Sequence, residues 1–192
     1  MADTHSTATK DVIDAVLEDH IHFRALFLEL DTATGRAREE VWQQIVRGLA
    51  VHETAEEEIV HPQVRRLVDG GDDIVEKRLS QENAAKKTLA DLEKLGVDSP
   101  DFDRRVRPFV QEVLHHATDE ESEELSELRA VADARSLARM ARLFEVAKAV
   151  APTHAHKGAP ESAAGNIVIG PAIAIADRVR DAIRDAMTKD DS

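Results

Sequence analysis

The stretch Leu49-Ala-Val-His-Glu-Thr-Ala-Glu-Glu-Glu-Ile59 sets His52 and Glu56 four residues apart inside an apolar seam. Ile45, Leu49, His52, Glu56, Ile59 and Gln63 follow the alternating four- and three-residue steps of a buried helix face. Burying an imidazole or a carboxylate without a partner costs several kcal/mol, on the order of what a small domain has to spare. Something must compensate both groups. Four residues is about one helical turn, so both side chains reach the same point beside the helix, and a metal ion there meets the requirement.

The arrangement returns later in the chain. His116-Ala-Thr-Asp-Glu-Glu121 repeats His52-Glu-Thr-Ala-Glu-Glu57 as His-x-Thr-x-Glu-Glu, again on a seam with Val106, Phe109, Val113, His116 and Glu120 in register. One His-x-x-x-Glu is weak evidence in an acidic helical chain. Two copies, each in register with its own apolar seam, are specific.

Composition narrows what surrounds these turns. Thirty-eight acidic residues against twenty-five basic give a formal charge of −13, which argues against nucleic acid or an anionic membrane as the main partner. There is no cysteine, so disulfides, thiolate zinc sites and cysteine-ligated iron–sulfur clusters are excluded. No apolar run reaches membrane-spanning length and the N-terminus lacks a secretory core, which sets a cytoplasmic location as the expectation. With one Trp, five Phe and no Tyr, the composition offers few strand formers, so the fold class is expected to be all-α.

The spacing predicts a polar, disordered lead over 1–8 and a first helix over 9–31. That helix carries Ile13, Val16, Leu17, His20, Phe23, Phe27 and Leu30 on one side. His20 therefore lies within an apolar stripe, while His22 points away from it. A second helix is expected over 39–68, kinked near residues 58–61 by Pro62. His61 follows His52 by nine residues, the opposite face of a straight helix, and only a kink turns it toward the site. A third helix, 73–95, carries Glu82 on its seam between Leu79 and Ala85. Pairing of Glu82 with Lys86 is the plain alternative to a ligand role. A fourth helix, 99–130, carries His116 and Glu120, with His115 off the seam. Its seam turns acidic at Glu123 and Glu124, so the helix is expected to leave the bundle there.

Short connections favour an antiparallel up-down-up-down four-helix bundle over 9–130. In that topology His20, His52, Glu56, Glu82, His116 and Glu120 converge at mid-height. Residues 131–192 form a C-terminal helical extension: a helix over 132–150, a Pro/Ala/Ser/Gly linker over 151–164, and a charged helix over 177–187. His154 and His156 in the linker read as an exposed pair. The apolar run 167–175 is expected to pack on the bundle or to join two copies in a homodimer.

Taken together, Glu18-Asp-His20, His52-x-x-x-Glu56-Glu57, His61-Pro62, the run Thr88 to Leu95, and His116-x-x-x-Glu120-Glu121 resemble the hemerythrin-like family of HHE cation-binding domains. Its longer, actinobacterial-type members are the most similar. The resemblance covers about 10–130 and extends weakly beyond. It implies two non-haem irons bridged by carboxylates, with His20, His52, Glu56, His116 and Glu120 as ligands. Manganese or zinc also suits such donors. Two positions depart from the family pattern: Glu82 where relatives carry His, and His61 where they carry Tyr. A carboxylate at Glu82 would favour the ferric state and weaken reversible O2 binding, whereas His61 would restore a nitrogen ligand.

The function expected from this resemblance is handling of O2, peroxide or NO, with peroxide decomposition as the turnover chemistry. The alternative is a non-enzymatic O2, NO or iron sensor or store. Ferritin-like proteins use Glu-x-x-His, Glu first and three apart, which is not the order seen here. A scaffold whose buried His and Glu satisfy one another is the remaining reading.

Overall fold

A computed structural model of the chain describes residues 10–150 and 171–190. The expected lead at 1–8, the linker with His154 and His156, and the first part of the apolar run fall outside these residues. All the regular structure described is helical: α1 Val12–Thr32, α2 Gly35–Ala55, α3 His61–Leu67, α4 Gly71–Leu95, α5 Pro100–Asp119, α6 Leu125–Val131, α7 Ala134–Val150 and α8 Pro171–Asp190. Two π-helical turns, Glu56–Val60 and Glu120–Glu124, join α2 to α3 and α5 to α6. The four rods of the bundle are thus α1, α2–α3, α4 and α5–α6.

Local chemistry sets the ends. Asp11 caps α1 in a reciprocal box with Asp14, each side chain accepting from the other's backbone N–H. Ser99 accepts from the Asp101 N–H, with Pro100 in the first helical position of α5. α2 begins at Gly35, earlier than the periodicity suggested. Gly71 opens α4 where a Cβ would lie 2.3 Å from the Val64 carbonyl oxygen, so only glycine lets α3 and α4 approach this closely.

The apolar core is split in two. One half gathers Val12, Val16, Val60, Val64, Leu125 and Leu128 with Phe144 of α7 and Val179 and Ile183 of α8. The other gathers Phe23, Trp42, Leu49, Leu89, Phe102, Phe109 and Val113, with Trp42 and Phe102 edge to face at 4.9 Å. Between them every rod contributes buried polar groups: His20, His52, Glu56, Glu82, His116 and Glu120.

The extension covers the bundle. α7 packs on α1 and α2, and α8 packs on α2 and α7. Ile175 is buried within this one chain, so the described part of the apolar run packs on its own bundle, while Ile173 stays exposed. α8 starts at Pro171, six residues before the expected start of the last helix. No helix among the described residues is long and apolar enough to cross a membrane.

Candidate metal centre

Each His-x-x-x-Glu turn ends in a π-helical turn, where the His61 N–H reaches back to the Glu56 carbonyl and the Leu125 N–H to that of Glu120. A π turn inserts one extra residue, which shifts everything after it by about 100° around the axis. The shift is visible in the burial. The seam expected to continue from Ile59 to Gln63 runs instead through Val60 and Val64, both fully buried, with Gln63 only half-buried. It also brings His61 to the inner face. The kink expected at Pro62 is this π turn. The second π turn contains no proline and had no sequence signal of that kind.

Glu124 corrects the sequence reading more sharply. The fourth rod was expected to leave the bundle at Glu123 and Glu124. Instead Glu124 is fully buried, and its Oε1 lies 2.8 Å from His61 Nδ1. The extra residue of the π turn rotates Glu124 inward. Arg78, also fully buried, makes that burial tolerable. Its Nη2 donates to the Asp119 carbonyl at 3.0 Å and to Glu123 at 2.6 Å, and its Nε lies 3.7 Å from Glu124 Oε2. The seam of α4 therefore passes through Arg78 rather than the half-buried Leu79.

Two groups of ligand-type side chains come together. His20, His52, Glu56 and Glu120 place one donor atom each within 4.8 Å of one another, and so do Glu53, Glu82 and His116. His20 Nε2 lies 3.2 Å from His52 Nε2 and 3.4 Å from Glu120 Oε2, while His52 Nε2 lies 3.3 Å from Glu56 Oε2. Glu120 Oε2 is also 3.9 Å from His116 Nε2, so this carboxylate stands between the groups. Six of the seven sequence candidates fall within these two groups.

The seventh, His61, stands beside them with both ring nitrogens engaged, Nδ1 by Glu124 and Nε2 by Glu82 at 2.8 Å. Burial opposes its protonation, but the two carboxylates outweigh it and push its pKa up to about 10. Glu82 Oε2 also lies 3.5 Å from Lys86 Nζ, so the expected alternative partner is present as well. Glu53 was missed. It is adjacent to His52 and sits where the second copy of the motif has Ala117, so a search for matching positions passes over it. His22 and His115 are exposed, as their positions off the seams implied.

Each imidazole of the two groups is steered from behind. His20 Nδ1 meets Glu121 Oε1 at 2.8 Å, and Arg24 donates to that same oxygen. His116 Nδ1 meets Gln81 Oε1 at 3.1 Å. His52 Nδ1 faces Asp19 Oδ2 at 3.6 Å, and Asp19 accepts from Lys148 of α7 at 2.5 Å. In all three the Nε2 is directed into the core, and for His20 and His116 the outer carboxylate or amide is within hydrogen-bond length, the arrangement that fixes a metal-ligating His.

The electrostatics of this layer are set by its buried carboxyls. Burial, and then the neighbouring carboxylates, push Glu53 and Glu56 well above the usual carboxylate range. Glu120 is held below it, because His20, His116 and His52 outweigh its burial. Burial lowers His116. Both oxygens of Glu56, both of Glu120, Glu53 Oε2 and His116 Nε2 are buried with no hydrogen-bond partner. Buried polar atoms are nearly always satisfied, so this many orphans in one place need an ion. A mixed imidazole and carboxylate donor set suits iron, manganese or zinc. These residues fit a metal centre.

A cavity of about 10 Å³ touches both groups. It is lined by His20, His52, Glu53 and His116 and closed by Phe23, Leu49, Val113, Leu114 and Ala117. That is room on the order of one water-sized molecule.

Comparison with known proteins gives a consistent picture. Residues 11–128, more than half of the chain, match the family described as the hemerythrin HHE cation binding domain. An uncharacterized hemerythrin-like protein of Schizosaccharomyces pombe is 26% identical over 172 residues, 88% of this chain and 85% of that protein. A DNA nickase of Nostoc sp. is 27% identical over 139 residues, 72% of this chain, but the chain spans only 39% of that protein. A crystal structure of a hemerythrin HHE cation binding domain-containing protein from Mycobacterium kansasii superposes with a TM-score of 0.64. It is 15% identical and covers 73% of this chain and 89% of its own, a likeness of fold alone.

Proposed function

This chain belongs to the hemerythrin HHE cation-binding family, and from that premise we propose that it holds two iron ions and handles O2, peroxide or NO. Decomposition of peroxide is the turnover reaction. The observation that carries this reading is the convergence of ligand-type side chains from all four rods on one buried layer, where both oxygens of Glu56 and of Glu120, Glu53 Oε2 and His116 Nε2 have no partner.

In this reading His20 and His52 serve one ion, and His116, Glu53 and Glu82 serve the other. Glu56 and Glu120 would supply the remaining carboxylate donors. His61 acts from behind, holding Glu82 through Nε2 while Glu124 holds its own Nδ1. When bound, the iron pair supplies a site for a small ligand and a change of redox level. Peroxide disproportionation needs no outside reductant: one H2O2 is oxidised to O2, the other is reduced to two waters, and protons pass between them. The protein residues limit what reaches that site. The 10 Å³ cavity excludes any ligand larger than a molecule of a few atoms, and Phe23, Leu49, Val113 and Leu114 screen it from bulk water. The carboxylates Glu53 and Glu82 are hard donors that favour the ferric state over reversible O2 carriage.

The nicking activity in the name of the Nostoc relative belongs to a protein of which this chain covers only 39%. With a formal charge of −13, this chain has no net attraction for a phosphate backbone.

The deciding experiment is elemental analysis of untagged protein, followed by oxygen-electrode assays with peroxide and titration with NO. Two irons per chain with catalytic O2 release are expected. Stoichiometric ligand binding without turnover would favour a sensor or store. A chain that folds but takes up no iron would leave only the scaffold.

A further inference from the structure

The two groups of donors are unlike in chemistry and in access. His20, His52, Glu56 and Glu120 combine two imidazoles with two carboxylates. Glu56 and Glu120 are fully buried, and the two imidazoles border the 10 Å³ cavity, as Glu53 and His116 also do. Glu53, Glu82 and His116 offer two carboxylates and one imidazole. These three also form the floor of a cleft of about 380 Å³ between α4 and α5, whose mouth carries Ala84, Gln111, Glu112 and His115. Glu53 is only 6% exposed and His116 7%, yet Glu53 Oε2 and His116 Nε2 lack partners there.

Oxygen-rich donors with space for coordinated water suit hard, hydrated ions, and a nitrogen-richer, enclosed set suits ions of the later transition series. We propose that the two cation positions are unequal: the Glu53/Glu82/His116 position exchanges its ion through the α4–α5 cleft and accepts a hard divalent cation such as Mn2+ in place of iron. The His20/His52 position retains its ion. Exposed Glu112 and His115 at the mouth give an arriving cation its first contacts, and the half-buried Gln81 lines the way inward. Lys86 Nζ, 3.5 Å from Glu82 Oε2, sets an ammonium beside this position and further weakens its hold on a cation.

This proposal rests on the reading of the core as a two-ion centre, and the test separates the two. Full-length protein is freed of metal, loaded with Zn2+ and then challenged with excess Mn2+. Metal content and the electron paramagnetic resonance of bound Mn2+ report the exchange, and release into EDTA is followed in time. One equivalent per chain is expected to exchange for Mn2+ and to leave at least about tenfold faster than the other. Glu53→Ala should remove the fast phase and spare the slow one, and His20→Ala should do the reverse. Ala84→Trp, at the exposed mouth, should slow the fast phase while leaving total metal and thermal stability unchanged. Two ions leaving in a single phase, a single ion per chain, or a fast phase indifferent to both Glu53→Ala and Ala84→Trp would overturn the proposal and leave the metal centre standing. A chain that binds neither Zn2+ nor Mn2+ would overturn the metal centre itself.

Discussion

Glu56 shows most plainly how a single residue separates a metal centre from a scaffold. In the absence of an ion it is a fully buried carboxylate with neither oxygen satisfied, held next to Glu120. Glu56→Gln should therefore stabilise the metal-free protein near neutral pH, by about 1–3 kcal/mol, because the raised carboxyl must take up a proton to be buried and the amide need not. The same change should lower the stability gained on adding metal. Urea unfolding of both forms, with and without metal, checks the pair of signs. If His52 and Glu56 merely satisfied each other, the metal-free protein would lose stability instead. The raised carboxyls Glu53 and Glu56 also fix a pH dependence. Metal-free, they retain protons above the usual carboxylate range, and a bound cation requires them ionised. Metal uptake should release protons, and affinity should fall as the pH drops through the acid range. Titration in two buffers of different ionisation enthalpy, together with apparent Kd values at acid and neutral pH, tests this.

At the scale of the element, the π turns are the device that completes the site. Residues before each turn face the core with ordinary helical spacing, and residues after it are rotated inward by the extra residue. His61 and Glu124 reach the core layer only because of that rotation, and their mutual contact joins the two bulged rods. Arg78 supports the second turn by donating to the Asp119 carbonyl that immediately precedes it. Arg78→Met should cost about 3–5 kcal/mol, because Glu124 is then left buried beside fewer cations. Urea unfolding should show the loss, and metal content should fall with it as His116 loses the Arg78–Gln81 support. α2 carries a second constraint. A Cβ on Gly48 would lie 2.6 Å from Phe23 Cε1, and Phe23 in turn stands edge-on to His52 at 5.2 Å. Gly48→Ala should therefore destabilise, despite alanine's better helix propensity, by about 1–3 kcal/mol of overpacking. Thermal unfolding measures it.

For the whole molecule, α7 and α8 are part of the domain that holds the site. Phe144 is fully buried in the half of the core that includes Val12, Val16 and Val60, and its ring stands 6.2 Å from that of His52. Lys148 reaches Asp19, which backs His52, and Arg180 of α8 pairs with Glu58 in the first π turn. Phe144→Ala should cost about 3–5 kcal/mol, a loss visible in thermal unfolding. Lys148→Met should leave the fold intact and reduce metal affinity, because Asp19 then loses the ammonium that holds it. An unchanged affinity would show that α7 only covers the bundle.

The sequence by itself determined the layout of the core. Two His-x-x-x-Glu copies in register with apolar seams, together with His20 and Glu82 on their own stripes, placed six donors in one layer. This was legible because helical periodicity is a local property, and each polar residue on a seam marks itself against its neighbours three and four positions away. What the tertiary structure decided lies where that periodicity breaks. A π turn changes the register without a residue signature of its own, so the inward turn of His61 could be linked only to Pro62, and that of Glu124 was hidden in an acidic run. Glu53 has no counterpart in the second copy, and Arg78 reads as a surface charge until the acids around it are assembled. Their roles depend on charges brought together from three rods, a balance that no single stretch of chain contains.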